Sequence, residues 1–439
     1  MGSRAHSGQA MVVMLAFAAS LAATFAIVFS AGQTVNDKMK LLNASDAAVL
    51  AAAQWQARSL NYQAYLNRAI VANEVAIAQL VSLRSWSAYV ATTTRNAARV
   101  TTVVPPLAAA MRAVERGWAV VDRGIQSGAP PLEGGLSGWN VEVLTRMQAL
   151  AHVQAPIVAA DLAAQVVRDN EPRALLAAAS RALQARNGNT WLNRFTQAYR
   201  RGGGDLARFS ALLASSRDGF SAQRSGDLLP SGSPLQVSRR GGTDLIGEYS
   251  WRGVDTLSTH LNLLITDAET PLGWGAAENR LRPVAGRGTH GGSLRRNPRA
   301  SRLATRALAP RQGYRGLPEI RDVSQPQRRD VRTLVYSLAL RIPGNEVPTA
   351  DRLLMPQGLA LPDGSTLSVA PALAAQSLHA LASALVRFER PEPRHDGREE
   401  YASLFSPYWQ ARLTATPLTD QALTLADRGL AVDPFVATR

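Results

Sequence analysis

The first hundred residues contain almost nothing that would interrupt a helix. From Gln9 to Val104 there is no proline and a single glycine, Gly32. Within this stretch, residues 10–31 (AMVVMLAFAASLAATFAIVFSA) carry no charge, proline or glycine. A helix of that length rises about 30 Å, the thickness of the hydrocarbon core of a bilayer. The pattern predicts a transmembrane helix over 10–31 that continues as a helix past Asp46.

The same segment has two alternative interpretations besides a membrane anchor, a buried core helix and a cleavable signal peptide. A buried core helix would need apolar protein on all its sides, which a terminal position disfavours. A cleavable signal peptide would place small residues before the cut, as Thr24-Phe25-Ala26 does, but the apolar run continues beyond that point. The expected topology is therefore a single pass, with residues 1–9 in the cytoplasm and the bulk of the chain outside.

The hydrophobic pattern changes character along the rest of the chain. Up to about residue 220 it has helical spacing, so 32–220 is predicted to be an extracytoplasmic helical region. Its predicted helices after residue 103 are 107–126, 140–168, 172–186 and 190–216, separated by Gly and Pro. From residue 240, alternation and β-branched or aromatic residues predict strands at 244–262, 331–342, 379–390 and 408–416. For residues 371–387 an alternative stays open, in which this segment begins as a helix.

These segments predict an α+β protein. Its parts are a long membrane-anchored N-terminal helix, a helical middle region, an antiparallel sheet domain over 240–416, and a C-terminal tail over 417–439. Residues 271–330 are rich in Gly, Pro and Arg and are predicted to be a long loop.

Charge is concentrated in that loop. The chain has 48 Lys and Arg against 33 Asp and Glu, a net charge of +15, yet the insert 280–315 holds ten arginines and no acidic residue. One interpretation is a solvated loop. The other is contact with an anionic envelope polymer, a lipid head group or an acidic partner subunit, through Arg295, Arg296, Arg299, Arg302 and Arg306. A single aromatic residue, Tyr314, gives no platform for stacked bases, so no nucleic-acid partner is predicted.

Catalytic and metal-binding patterns are not found. The absence of cysteine excludes thiolate ligands and thiol nucleophiles, and the six histidines have no metal-ligand spacing. Gly286, Gly288 and Gly291 match G-x-G-x-x-G but lie inside the Arg-rich loop instead of between a strand and a helix. We predict no enzyme, no cofactor and no metal. A pocket that gathers His260, Asp267 and Glu269 would speak against this.

Two parts of the sequence resemble the TadE/TadG-like pilus-assembly proteins of tight-adherence (Flp) systems, which are pseudopilin or minor-pilin-like. At the start these are residues 8–12 (GQAMV) with the apolar run, and 40–51 (KLLNASDAAVLA). Towards the end they are 386–391 (VRFERP) and 400–413 (EYASLFSPYWQARL). The match covers well under a fifth of the chain.

The resemblance implies a non-enzymatic inner-membrane protein, mostly periplasmic, that assembles with other pilin-like subunits. Helix packing in the bilayer is expected along residues 10–57. The small residues that would allow close contact in the apolar run are Ala18, Ala19, Ala22, Ala23 and Ala26. Processed pilins carry a glutamate five residues after the cut glycine, but a cut between Gly8 and Gln9 would put Val13 there. An uncut anchor is therefore expected, with Gly8/Gln9 processing as the alternative.

Overall fold

The fold is α+β, as the sequence predicts, with a long N-terminal helix, a largely helical middle and antiparallel sheets towards the C-terminus. The computed structural model describes residues 7–229, 233–263, 266–284, 293–324, 333–348, 359–360, 366–367, 377–398 and 400–427. The helices are α1 (Ser7–Val100), α2 (Pro105–Gly135), α3 (Glu142–Asn170), α4 (Ala178–Thr190), α5 (Gly204–Ser216), α6 (Ser293–Arg296), α7 (Pro298–Ala307) and α8 (Leu418–Asp427). The strands are β1 (Leu175–Leu176), β2 (Thr196–Tyr199), β3 (Arg224–Asp227), β4 (Leu235–Ile246), β5 (Ser250–Leu263), β6 (Thr266–Arg280), β7 (Arg311–Gln312), β8 (Ile320–Val323), β9 (Thr333–Ile342), β10 (Leu359–Ala360), β11 (Thr366–Leu367), β12 (Leu378–Phe388) and β13 (Trp409–Thr414).

Helix α1 is a single helix of 94 residues. A short 3-10 turn, Thr101–Val103, follows it, and Pro105 occupies the first turn of α2, where its missing N–H costs nothing. The predicted interruption at Gly134-Gly135 is wrong. The chain stays helical through a π-helical turn, Leu136–Val141, that joins α2 to α3.

The chain forms two compact units that are not consecutive blocks of sequence. The first unit comprises residues 1–62, 151–196 and 323–439, and the second comprises 63–150 and 197–322. Helix α1 therefore supplies its first part to one unit and its last part to the other. The predicted division into a helical region over 32–220 and a sheet domain over 240–416 does not follow these boundaries.

The first unit is built on a four-stranded antiparallel sheet with the order β1-β9-β12-β13. Strands β9, β12 and β13 match the predicted segments 331–342, 379–390 and 408–416. Residue 378 begins β12, so the alternative of a helix up to 387 is wrong there, while residues 371–376 lie outside the described residues. One hydrophobic cluster joins inward residues of β9 and β12 to the small residues of α1 from Ala48 to Ala57.

The second unit is built on a five-stranded sheet with the order β3-β4-β5-β6-β7, antiparallel except for the β6–β7 pair. The prediction of one strand over 244–262 is wrong, because the chain turns between Ile246 and Ser250. Gly247 occupies this turn with φ +59°, a conformation that glycine adopts without steric cost. Helix 190–216 is also a wrong prediction, since β2 interrupts it.

The predicted long loop 271–330 is only partly a loop. Residues up to Arg280 belong to β6, and the Arg-rich insert 280–315 contains α6, α7 and β7. Residues 285–292, with Gly286, Gly288 and Gly291, lie outside the described residues. The C-terminal segment 417–439 likewise begins with a helix. Asp420 of α8 is fully buried and accepts a hydrogen bond from Arg186 of α4.

Glycines allow α1 to lie directly against β5 and β6 in the second unit. A Cβ built on Gly275 would lie 2.1 Å from the Ser85 carbonyl oxygen and 2.3 Å from the Tyr89 amide nitrogen. Both atoms are helix backbone, so neither can rotate aside. This close approach explains why Gly- and Pro-rich residues that resemble a loop in sequence are part of the sheet.

We therefore expect Gly275→Ala to lower the free energy of unfolding by about 1–3 kcal/mol, the usual cost of overpacking a core. Denaturant titration of the detergent-solubilised chain measures it. Gly226→Ala is the matched control, because no heavy atom lies within 4 Å of its built Cβ and it is also in a strand. Equal stability of the two variants would contradict the close packing.

Candidate functional site

The first part of α1 exposes an apolar surface that the rest of the described chain does not cover. Side chains such as Met14 and Phe25 are 76% and 67% exposed. Ala18, Ala19, Ala22 and Ala23 are also exposed, and Ala26 is half-buried. Gly8 and Gln9 lie in the first turn of the helix, and nothing in their backbone conformation reports on processing.

The few polar side chains in this segment satisfy their hydrogen bonds within the helix. Ser20, Thr24 and Ser30 each donate to the carbonyl oxygen four residues earlier, at 2.8 Å. A hydroxyl that donates to its own helix backbone needs no water, as a hydrocarbon environment requires. By length and composition two stretches suit a membrane span, Ala10–Val103 and Pro105–Asn170. The apolar window of the first is not buried at all, whereas 28% of the second is.

An arginine from the loop after α3 holds α1 shortly after the apolar run. The Arg173 guanidinium donates all five of its hydrogen bonds, two of them to the two carboxylate oxygens of Asp37 at 3.1 Å. Two others go to Glu171, at 2.8 and 3.0 Å, and the fifth goes to the carbonyl of Glu346. These hydrogen bonds lower the pKa of Glu171. The Asp37 carboxylate is buried, and its bidentate contact with Arg173 compensates for the hydration that it loses.

Both segments that carry the family resemblance meet in the core of the first unit. From residues 40–51, Leu41, Ala48 and Val49 belong to the same hydrophobic cluster as Phe388 and Trp409 of the C-terminal segments. The residues of 44–57 that face this core are therefore not available to partner helices. The expectation that helix packing with partners extends along 10–57 is wrong for this buried face, because the chain's own strands cover it.

Trp409 lies at the centre of this contact. Its ring packs edge-on against Phe388 and Phe195, with centroids 5.4 Å away in each case. The Asn61 side chain of α1 bonds both backbone groups of Trp409, accepting from its N–H and donating to its carbonyl at 2.9 Å. Asn61 thus satisfies two backbone groups of the last strand of the sheet.

The second arginine of the 386–391 segment, Arg390, contacts two residues of the 400–413 segment. Arg390 donates to the Glu400 carboxylate at 2.6 Å, and its guanidinium lies over the Tyr408 ring at 5.2 Å. These contacts lie within the first unit, where they connect the end of β12 to the segment before β13.

The five arginines predicted to contact anions do not share one environment. Arg295, Arg299, Arg302 and Arg306 are exposed. Arg296 is half-buried, and it donates to Ser238 and to Gln236 of β4. Arg296 thus connects α6 to the sheet, and its contact with an anion stays a prediction.

Two of the three residues named as a test for an enzyme, His260 and Glu269, lie directly opposite each other on β5 and β6. Glu269 is buried and accepts hydrogen bonds from Ser258 and from the backbone N–H groups of Arg299 and Ala300. His260 contacts the Asn297 side chain, with Nε2 2.9 Å from Oδ1. The backbone of Asp267 pairs with Asn262, and its side chain lies outside the described part of the structure. Among the described residues no group of three or more His, Asp or Glu could hold a metal ion.

One buried carboxyl in the second unit was not predicted from the sequence. Glu74 is completely buried, and its Oε2 accepts from the Trp251 indole at 3.0 Å and from the Tyr314 hydroxyl at 2.8 Å. Burial raises its pKa to about 7, against the smaller opposing effect of the two hydrogen bonds and of Arg201. Its spacing from Ile70 and Ile77 places it on the buried face of α1, which is the signal that could have identified it.

Comparison with known proteins supplies no assignment: no protein-family model, no curated protein and no solved structure matches this chain.

Replacing Asn61 with alanine tests the contact between α1 and the C-terminal motif. Removing the amide leaves the backbone N–H and carbonyl of Trp409 without their partner, which costs about 1–3 kcal/mol of unfolding free energy. Asn43→Ala, an exposed asparagine of the same helix, is the matched control and should change little. Equal midpoints for the two variants in denaturant titration would refute the role of Asn61.

Glu74 should make stability pH-dependent. Because its pKa is about 7 in the folded state and about 4.5 in the unfolded state, the unfolded state ionises first as pH rises. Stability from this group is complete below pH 4.5 and falls by about 3 kcal/mol as pH rises to 7, then stays constant. Glu74→Gln should remove this decline, whereas Glu319→Gln, an exposed position of the same unit, should keep it. An unchanged pH profile in Glu74→Gln would contradict the assignment.

Proposed function

We propose that this protein is a non-enzymatic, membrane-anchored assembly factor or minor-pilin-like subunit of a tight-adherence (Flp) type pilus. In this proposal the 10–31 segment of α1 crosses the inner membrane once, with residues 1–9 in the cytoplasm. The two folded units lie in the periplasm.

The observation that carries the proposal is the change of environment along one unbroken helix. In α1 an exposed apolar surface with internally bonded hydroxyls leads directly into the core of the first unit. A helix of this kind places a folded body at a set distance from the bilayer. The change takes place within a few residues, since Asp37, only six residues after Ala31, is already buried in its contact with Arg173.

The first apolar stretch is the better anchor of the two that satisfy length and composition. The second stretch, 105–170, carries charged residues such as Arg112, Glu115 and Arg116 and is partly buried. Charged side chains at the bilayer centre are costly, whereas 10–31 has none.

Within the bilayer, the proposed contact with partner helices uses the small side chains of α1. Ala18, Ala22 and Ala26 follow each other four residues apart, and Ala19 and Ala23 flank them, so they form one face of small residues. Lipid is as apolar as leucine, so helices in membranes associate through close contact of small residues and not through burial of apolar area. Because the core-facing side of 44–57 is covered by the first unit, we place the partner contact on this face of small residues in the apolar run.

The proposal is tested by placing a bulky side chain on that face. We expect Ala22→Leu to reduce photo-crosslinking to neighbouring pilin-like helices several-fold in native membranes. The larger leucine side chain would keep the backbone of α1 away from the backbone of the partner helix. Carbonate extraction should show that the variant remains membrane-inserted. Cross-linked neighbours are identified by mass spectrometry.

Ala31→Leu is the matched control, because nine residues at 100° each place Ala31 on the opposite side of the helix. It is exposed as Ala22 is. Loss of cross-linking in both variants, or in neither, would refute a specific packing face. Release of the wild-type chain by carbonate would refute the anchor itself.

A further inference from the structure

The Arg-rich insert presents a rigid cationic edge on the second unit. Helix α7 buries Ala300, Ser301 and Ala304 against β5 and β6. Its opposite side carries Arg299, Arg302 and Arg306, spaced three and four residues apart, so they share one face. Arg295 of α6 is exposed four residues before Arg299. These four residues, Arg295, Arg299, Arg302 and Arg306, are called the arginine ridge below.

The ridge is held in place by buried polar contacts. Asn297, immediately before α7, is fully buried and donates to the Ser238 carbonyl and the Thr256 hydroxyl at 3.0 Å. The Glu269 carboxylate accepts the N–H groups of Arg299 and Ala300, so the protein itself satisfies the first turn of the helix. An external anion is therefore left to bind the side chains of the ridge, not the helix terminus.

Among the described residues, no ion pair neutralises the guanidiniums of the ridge. The insert 280–315 contains no Asp or Glu, and Arg295, Arg302 and Arg306 form no ion pair within the described chain. The Arg299 guanidinium donates a hydrogen bond to the backbone carbonyl of Glu269, at 3.0 Å. By contrast, many other arginines of the second unit are paired, as Arg84 is with Glu133 and Arg224 with Asp255.

Its shape favours a linear ligand. Asn297 separates α6 from α7, so Arg295 is not in helical register with the other three arginines. On α7, Arg299, Arg302 and Arg306 are spread over about 10 Å of helix, at about 1.5 Å per residue. The exposed side of α7 offers no large apolar residue that would enter a bilayer, since its other exposed residues are Pro298, Thr305 and Ala307. Helix α7 has no aromatic residue on which bases could stack, and Tyr314, the aromatic residue of the insert, is buried.

We propose that the arginine ridge binds a linear envelope polymer that carries phosphate groups. Guanidiniums bind phosphate through paired N–H donors, and a polymer lets neighbouring guanidiniums act together. The proposal rests on the proposed periplasmic location only for the source of the polymer, since the ridge itself belongs to the folded unit.

The binding test uses the full chain in neutral detergent and fluorescently labelled linear polyphosphate, measured by anisotropy. We expect Arg302→Gln with Arg306→Gln to bind roughly tenfold more weakly than the unchanged chain, and to show a shallower dependence of affinity on salt. Arg112→Gln with Arg116→Gln is the matched control. It removes the same charge from two exposed arginines four apart on α2.

Equal weakening in the two double variants would overturn the proposal, because it would show a general charge effect. Tighter binding to detergent micelles that contain phosphatidylglycerol than to polyphosphate, with the same dependence on the ridge, would overturn it in favour of a lipid surface. Absence of any polyphosphate binding at low salt would also overturn it. Membrane insertion and cross-linking of the Ala22 face are measured separately, so failure here leaves the proposed anchor untouched.

Discussion

The structure depends on how closely the strands of each unit can approach helix α1. In the first unit the small residues are on the helix, where Ala48, Ala52 and Ala53 share a cluster with large residues of the sheet. In the second unit they are on the strands, where Gly273 and Gly275 leave room for α1 backbone. Both arrangements remove side-chain volume from one partner only. They allow one long helix to serve as the central element of two separate cores.

Close packing of this kind leaves little room for water, so polar groups on the buried face of α1 need partners from the chain. Asp37 has Arg173, Asn61 has the backbone of Trp409, and Ser85 donates to Asp255 at 2.6 Å. Glu74 differs from Asp37, because it receives two neutral donors and no cation within a described ion pair. Its raised pKa follows from that incomplete compensation.

Arginine serves two purposes in this chain. Most arginines in the buried contacts meet a carboxylate, and bidentate geometry makes such pairs tolerable inside a protein. The arginine ridge is different because the sequence around it contains no acid. Some of the positive charge therefore belongs to arginines that are paired inside the fold, and some belongs to the exposed arginine ridge. Only the charge of the ridge is relevant to an anionic partner.

The sequence by itself determined the features that depend on local composition. An apolar run without breakers makes a long helix, and alternating residues make the strands β9, β12 and β13. Tertiary structure decided the rest. Residues around Gly275 are strand because α1 needs their missing side chains, and the arginines of α7 form a ridge because Ala300 and Ala304 pack on the sheet. Neither the strand nor the ridge could be predicted from the sequence. A glycine-rich segment has no local preference for a strand, and the burial of one helix face depends on residues that are far away in the sequence.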